Sequence, residues 1–110
     1  MKLICNGNDL SLAVGQVFKA ASTKAQNPIL EGILLKAENG ALTLTATDLE
    51  LAIEKFIPAD VKIEGETVVP GRFFAEFVKK LTHEQIELSL NDNRLRIRYT
   101  DSEEIGRAHV

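Results

Sequence analysis

The chain has 110 residues, the size of one ordinary domain, and 45% hydrophobic and 26% charged residues are enough to close a soluble core. Thirteen Lys and Arg against sixteen Asp and Glu leave a formal charge of -3, without the basic excess usual in nucleic-acid or anionic-membrane binders. With 5% aromatic residues and no Trp, little is available for stacking on bases.

The start, Met1 to Asn6, has neither the apolar length nor the small-residue cleavage site of a signal peptide. No apolar run is long enough to span a bilayer, so the expected compartment is cytoplasmic, with no membrane partner. Residues 2–5 read as a short strand. Its lone Cys5 cannot form an internal disulfide and reads as a small core residue. No Cys/His spacing resembles a metal site, and no cofactor motif is found.

Asn6-Gly7-Asn8-Asp9 has turn chemistry, and Asn6 or Asn8 can cap a helix that begins near Leu10. Leu10, Ala13, Val14, Val17, Phe18 and Ala21 fall on one stripe of that helix. Gly15 weakens its middle, and close packing is the reason the sequence suggests. Pro28 ends any remaining helix and biases Asn27 to an extended conformation.

Ile33–Ala37 and Ala41–Thr45 flank Asn39-Gly40, which predicts a tight hairpin. Beyond Thr47-Asp48 the apolar parity switches to Leu49, Leu51 and Ile53, which calls for a turn or bulge at Asp48. Pro58 to Gly65 reads as a loop, and Thr67-Val68-Val69 as a strand stopped by Pro70-Gly71. Phe74, Phe77, Val78 and Leu81 mark a second, short helix. Two alternating segments follow, Ile86/Leu88/Leu90 and Leu95/Ile97/Tyr99, joined by Asn91-Asp92-Asn93.

The order is strand, helix, three strands, then strand, helix, two strands. One unit is used twice, and the second copy lacks its last strand. The hairpins make the sheets antiparallel, so the fold class is α+β.

Enzyme motifs are absent. Val69-Pro70-Gly71-Arg72 lacks the spacing of a phosphate loop. Asp48 and Glu50 read as a hairpin end, and His83, without a Ser or Cys nucleophile in recognisable context, as an exposed helix-end residue. The expectation is a non-catalytic protein. Arg94, Arg96 and Arg98 alternate on one strand face, with Glu87 and Ser89 on the neighbouring strand as partial partners. They read as a solvated outer face or, more sharply, as a subunit-contact edge beside the missing strand.

The helical units carry more information. Leu10 to Asn27 holds Lys19 and Lys24 and no acid; Gly71 to Leu81 holds Arg72, Lys79 and Lys80 against Glu76. Both units are therefore cationic, about +4 together, and the remaining positions carry about -7. Arg72, Glu76 and Lys79 or Lys80 are spaced to line the helix face away from the aromatics. A solvated face ordinarily mixes both signs, so the shared bias favours an anionic partner over a free-standing interaction module.

Three ordered segments carry a resemblance. Asn27-Pro28-Ile29-Leu30-Glu31-Gly32-Ile33, Leu42-Thr43-Leu44-Thr45-Ala46-Thr47-Asp48-Leu49-Glu50 and Val68-Val69-Pro70-Gly71-Arg72-Phe73-Phe74 closely resemble the amino-terminal domain of the bacterial replicative sliding clamps, the beta subunits of DNA polymerase III. The resemblance covers residues 1–102. It implies the DNA-clamp fold, with antiparallel sheets outside and two helices on the inner face of a ring around duplex DNA. It also implies a second clamp subunit joined head to tail, and DNA polymerase III and clamp-loader partners engaged through later domains. By the same resemblance Lys24, Arg72 and Lys79 match DNA-contacting positions, with Lys19 and Lys80 as further cations. Lys24 stands where Arg is familiar, which keeps the charge and loses the bidentate fork. A basic lining and an acidic outside would reconcile the negative total with DNA. Residues 103–110 depart from the family, which continues with another strand. Glu104 to Val110 read like a translated sequencing adapter, so this tail is expected to be non-native and the domain incomplete at its C-terminal edge.

Overall fold

The computed structural model describes residues 1–22, 32–47, 52–81, 85–92, 94–100 and 105–109. Its elements are β1 (Lys2–Asn6), α1 (Gly7–Ser22), β2 (Gly32–Glu38), β3 (Ala41–Thr47), β4 (Ala52–Ile63), β5 (Gly65–Pro70), α2 (Gly71–Val78), β6 (Gln85–Asn91), β7 (Arg94–Thr100) and β8 (Ile105–His109). The strand-helix-strands unit occurs twice, as expected of this α+β class. Eight strands form one sheet in the order β5-β2-β3-β4-β1-β6-β7-β8, with antiparallel pairing throughout.

Strand alternation puts the apolar residues on one face. In β2, Ile33, Leu35 and Ala37 are buried, and Leu3, Leu44, Leu88 and Ile97 continue that layer across the sheet. The two helices pack side by side on this face, α1 over β1, β3 and β4, and α2 beside β5. Leu10, Ala13, Val14 and Val17 of the expected stripe are buried and Phe18 is partly buried; the side chain of Ala21 lies outside the described residues.

The β2–β3 hairpin turns at Asn39-Gly40, where both residues have positive φ, 52° and 74°. These are the conformations that a two-residue turn matched to strand twist requires, and Asn and Gly tolerate them.

Four expectations are corrected. The α1 helix starts at Gly7, one turn before Leu10, because Asn6 already caps it. Gly15 is exposed, and a Cβ there would meet nothing within 4 Å, so close packing is not its reason. Pro58 to Gly65 is not a loop. β4 runs on through it, pairing with β3 as far as Pro58 and with β1 from Ala59 onward. Proline lacks the donor that a continuous ladder needs, and it occupies the point where the strand changes neighbours. The next N–H, on Ala59, donates to the Gly40 carbonyl at 3.0 Å. Finally, the strand expected to be missing is present: β8 pairs with β7 from Thr100↔Ile105 to Arg96↔His109. Ladder hydrogen bonds join backbone to backbone, so an extended segment can fill an edge without an alternating apolar pattern. The parity switch at Asp48, the Pro28 stop and His83 lie outside the described residues.

Candidate nucleic-acid interface

The helix-bearing face is built from two capped segments. At the start of α1, the Asn6 Oδ1 accepts the Asp9 N–H at 3.0 Å, and Asp9 in the first turn suits the positive end of the helix. The outward side of α1 then presents Asn8, Leu12, Gly15 and Gln16, all exposed. Lys19 belongs to α1 by its backbone, but its side chain, like the whole of Lys24, lies outside the described residues.

At the start of α2, Pro70 takes the N-cap position with φ -62° and ψ 120° and makes no side-chain cap. Gly71 is buried, and Arg72 is exposed in the first turn. A cation there opposes the helix dipole. An anion beside this helix end would meet both the Arg72 charge and the N-terminal N–H groups. Glu76 is exposed one turn later. Lys79, expected inside the helix, is its C-cap; its N–H donates to the Ala75 carbonyl at 3.2 Å, and the N–H of exposed Lys80 donates to Phe77 at the same distance. Both lysines suit the negative end of α2.

The charge is thus distributed differently from the expectation. Within their bounds each helix holds one acid and one base: Asp9 and Lys19 in α1, Arg72 and Glu76 in α2. The cationic excess of the second unit lies just past α2, on Lys79 and Lys80.

One candidate was missed. Lys55 of β4 shares its strand face with buried Ile57 and is exposed, so it lies on the helix-bearing side, opposite Leu44. The signal was the Leu49/Leu51/Ile53 parity, which carries on to positions 55 and 57 ahead of Pro58. The aromatics also differ. Only Phe74 is fully buried, while Phe73 is 51% exposed and stacks on Phe77 with ring centroids 6.4 Å apart. Phe77 meets Tyr99 edge-on at 6.4 Å.

Arg94, Arg96 and Arg98 lie on the opposite face of the sheet, away from the helices, because Leu95 and Ile97 between them are buried. The predicted partners are in register, Arg98 opposite Glu87 and Arg96 opposite Ser89. Glu87 bridges Arg98 at 3.8 Å and Lys2 at 3.7 Å. With β8 in place, these arginines stand one strand inside the edge rather than on it. The outer face is divided. Around β2–β5 it carries Glu38, Glu54 and Glu66 with Lys36, whereas around β1, β6 and β7 the cations prevail; a uniformly acidic outside is not what forms.

Cys5 is buried, and burial, with a smaller contribution from the Asp9 charge, pushes its thiol up to about 12. It is a packed side chain rather than a nucleophile. Among the described residues no cluster of His, Cys, Asp and Glu could hold a metal ion, and no helix is long and apolar enough to cross a membrane.

The family model of the DNA polymerase III beta subunit, N-terminal domain, matches residues 1–107. The chain belongs to this family. It is similar to the beta sliding clamp of Halalkalibacterium halodurans, 40% identical over 88 residues, which is 73% of this chain and 23% of that protein. Among solved structures, the DNA polymerase sliding clamp from Bacillus subtilis superposes with a TM-score of 0.83 at 29% identity, covering 97% of this chain and 30% of the other. Caulobacter crescentus pol III beta gives 0.81 at 32% identity, covering 100% and 28%. The chain therefore spans about a quarter of the length of the beta-subunit relatives it matches.

Proposed function

We propose that this chain is the amino-terminal part of a ring-shaped, non-catalytic processivity factor that encircles duplex DNA and tethers the replicative polymerase to its template. The observation that carries the reading is Arg72, an exposed cation in the first turn of α2, where an anion can meet its charge and the N-terminal N–H groups together. Lys79 and Lys80 at the other end of α2, with Lys19, Lys24 and Lys55, supply further phosphate-directed charge. Contacts of this kind hold the backbone without reading bases, and a closed ring retains DNA by topology, so each can remain weak. A second subunit joins head to tail to close the ring. Polymerase and clamp loader bind later segments of the ring, and the whole works in the cytoplasm. Residues 103–110 are, on this reading, a tail foreign in origin; genomic sequence that encodes them in frame would refute that last point.

The test is DNA affinity of the full-length protein across a salt series. Lys24→Ala with Arg72→Ala should weaken binding most at low salt and leave sequence preference unchanged. Removing one phosphate-neutralising cation should flatten the slope of log affinity against log salt by about 0.9. An unchanged slope in the double variant would count against the assignment.

A further inference from the structure

On the face remote from the helices, the β6–β7 turn and the first half of β7 enclose a groove lined by Asn91, Asp92, Arg94 and Arg96. Arg96 is half-buried there, and its Nε is buried with no hydrogen-bond partner. That nitrogen faces protein rather than solvent, so an oxyanion in the groove would meet the charge of the two arginines that line it and not this atom. Arg94 lies two residues away on the same strand face, exposed, and Asn91 pairs with it across the ladder. Neither Arg94 nor Arg96 forms an ion pair among the described residues, whereas Arg98 is engaged by Glu87 at 3.8 Å. The groove thus offers a carboxamide and two guanidinium groups that have no ion pair among the described residues. A guanidinium presents parallel N–H groups that fit two oxygens of one oxyanion.

Asp92 narrows the class. It sits in the left-handed region, φ 52°, and lines the groove together with the arginines, which brings a carboxylate charge to the site. A fully deprotonated anion is repelled by it, whereas an oxyanion that keeps a proton can donate that proton to it as a hydrogen bond. At neutral pH sulfate has no such proton, and the dianion of a phosphate monoester has none either. Hydrogen phosphate has one.

We propose that this groove is a binding site for inorganic phosphate, selected over sulfate through Asp92. The site is independent of the DNA reading, since it lies on the other face of the sheet. The experiment is titration calorimetry on the full-length protein at fixed ionic strength and pH 7, with inorganic phosphate, sulfate and glycerol 2-phosphate in turn. Phosphate should bind saturably, at least tenfold more tightly than either of the others. Arg96→Leu should lose at least tenfold in phosphate affinity, and Asp92→Asn should bring phosphate and sulfate together. Equal affinities for phosphate and sulfate in the unaltered protein would overturn the proposal, as would unchanged phosphate binding in Arg96→Leu. Asp92→Asn substitutes an exposed turn residue that its conformation tolerates, so it tests selectivity even where Arg96→Leu fails to fold. Sedimentation of the same variants separates a defect in anion binding from a defect in subunit association.

Discussion

Cys5 illustrates how a single side chain can report on the core. Its thiol is buried between β4 and β6 and pushed up to about 12. In the unfolded chain it ionises near pH 9, so below that pH the folded state loses nothing. Between about pH 9 and 12 the unfolded chain gives up a proton that the folded one retains, and stability should fall by about 1.4 kcal/mol per pH unit from this group. Denaturant melts at pH 8 and pH 10.5, compared with Cys5→Ala, would isolate that contribution. Labelling by an aromatic disulfide reagent should follow the opening of the sheet; rapid labelling of the native protein would contradict the burial. Gly15 makes the opposite case. It is a helix residue in open space with nothing near its missing Cβ. Gly15→Ala should stabilise by about 0.5–1 kcal/mol through helix propensity, measurable as a raised midpoint in urea.

At the scale of elements, the local rules that could be read directly were those whose cause is also local. Asn39-Gly40 folds as its backbone freedom dictates, and Gly40→Ala, forced to φ 74°, should cost about 1 kcal/mol in chemical denaturation, whereas Asn39→Gly should be close to neutral. The α1 stripe and the alternation in β6 and β7 were equally legible, because burial of one face imposes them. β4 was not. Ala59, Val61 and Ile63 alternate after Pro58, but a proline ordinarily ends a strand, and only the arrival of β1 as a new neighbour lets this one continue. β8 was hidden for a different reason: its partner recognises backbone, and Glu103-Glu104-Ile105-Gly106 offers no apolar alternation. For the candidate site, Arg72, Lys79 and Lys80 were visible as charges in helical context. The place of Arg72 in the first turn needed the helix bounds, and Lys55 needed only the Leu49/Leu51/Ile53 parity carried two residues further.

For the whole molecule, the negative total conceals a separation in three rather than two parts: cations near the helix ends, a mixed acidic region over β2–β5, and a second basic region over β1, β6 and β7. The sheet also has two open edges, β5 and β8. Unpaired edges recruit further strands, so the 110-residue chain by itself should associate with rising concentration. Sedimentation over a hundredfold dilution checks this, and a monomer at every concentration would show that the edges are protected.

The position of β1 has one more implication, for how the molecule is made. Although β1 precedes every other described strand, it lies in the middle of the sheet, between β4 and β6. Its first neighbour does not exist until residue 63 has been synthesised, and its second not until residue 91. At roughly 5–20 residues per second, about 4–17 s pass between the synthesis of Cys5 and the end of β6, and for much of that time α1 is the element at hand to cover Leu3 and Cys5. A central strand whose sheet partners come late keeps both its edges unpaired meanwhile, and this half-made sheet is open to the edge-to-edge association that a chaperone prevents.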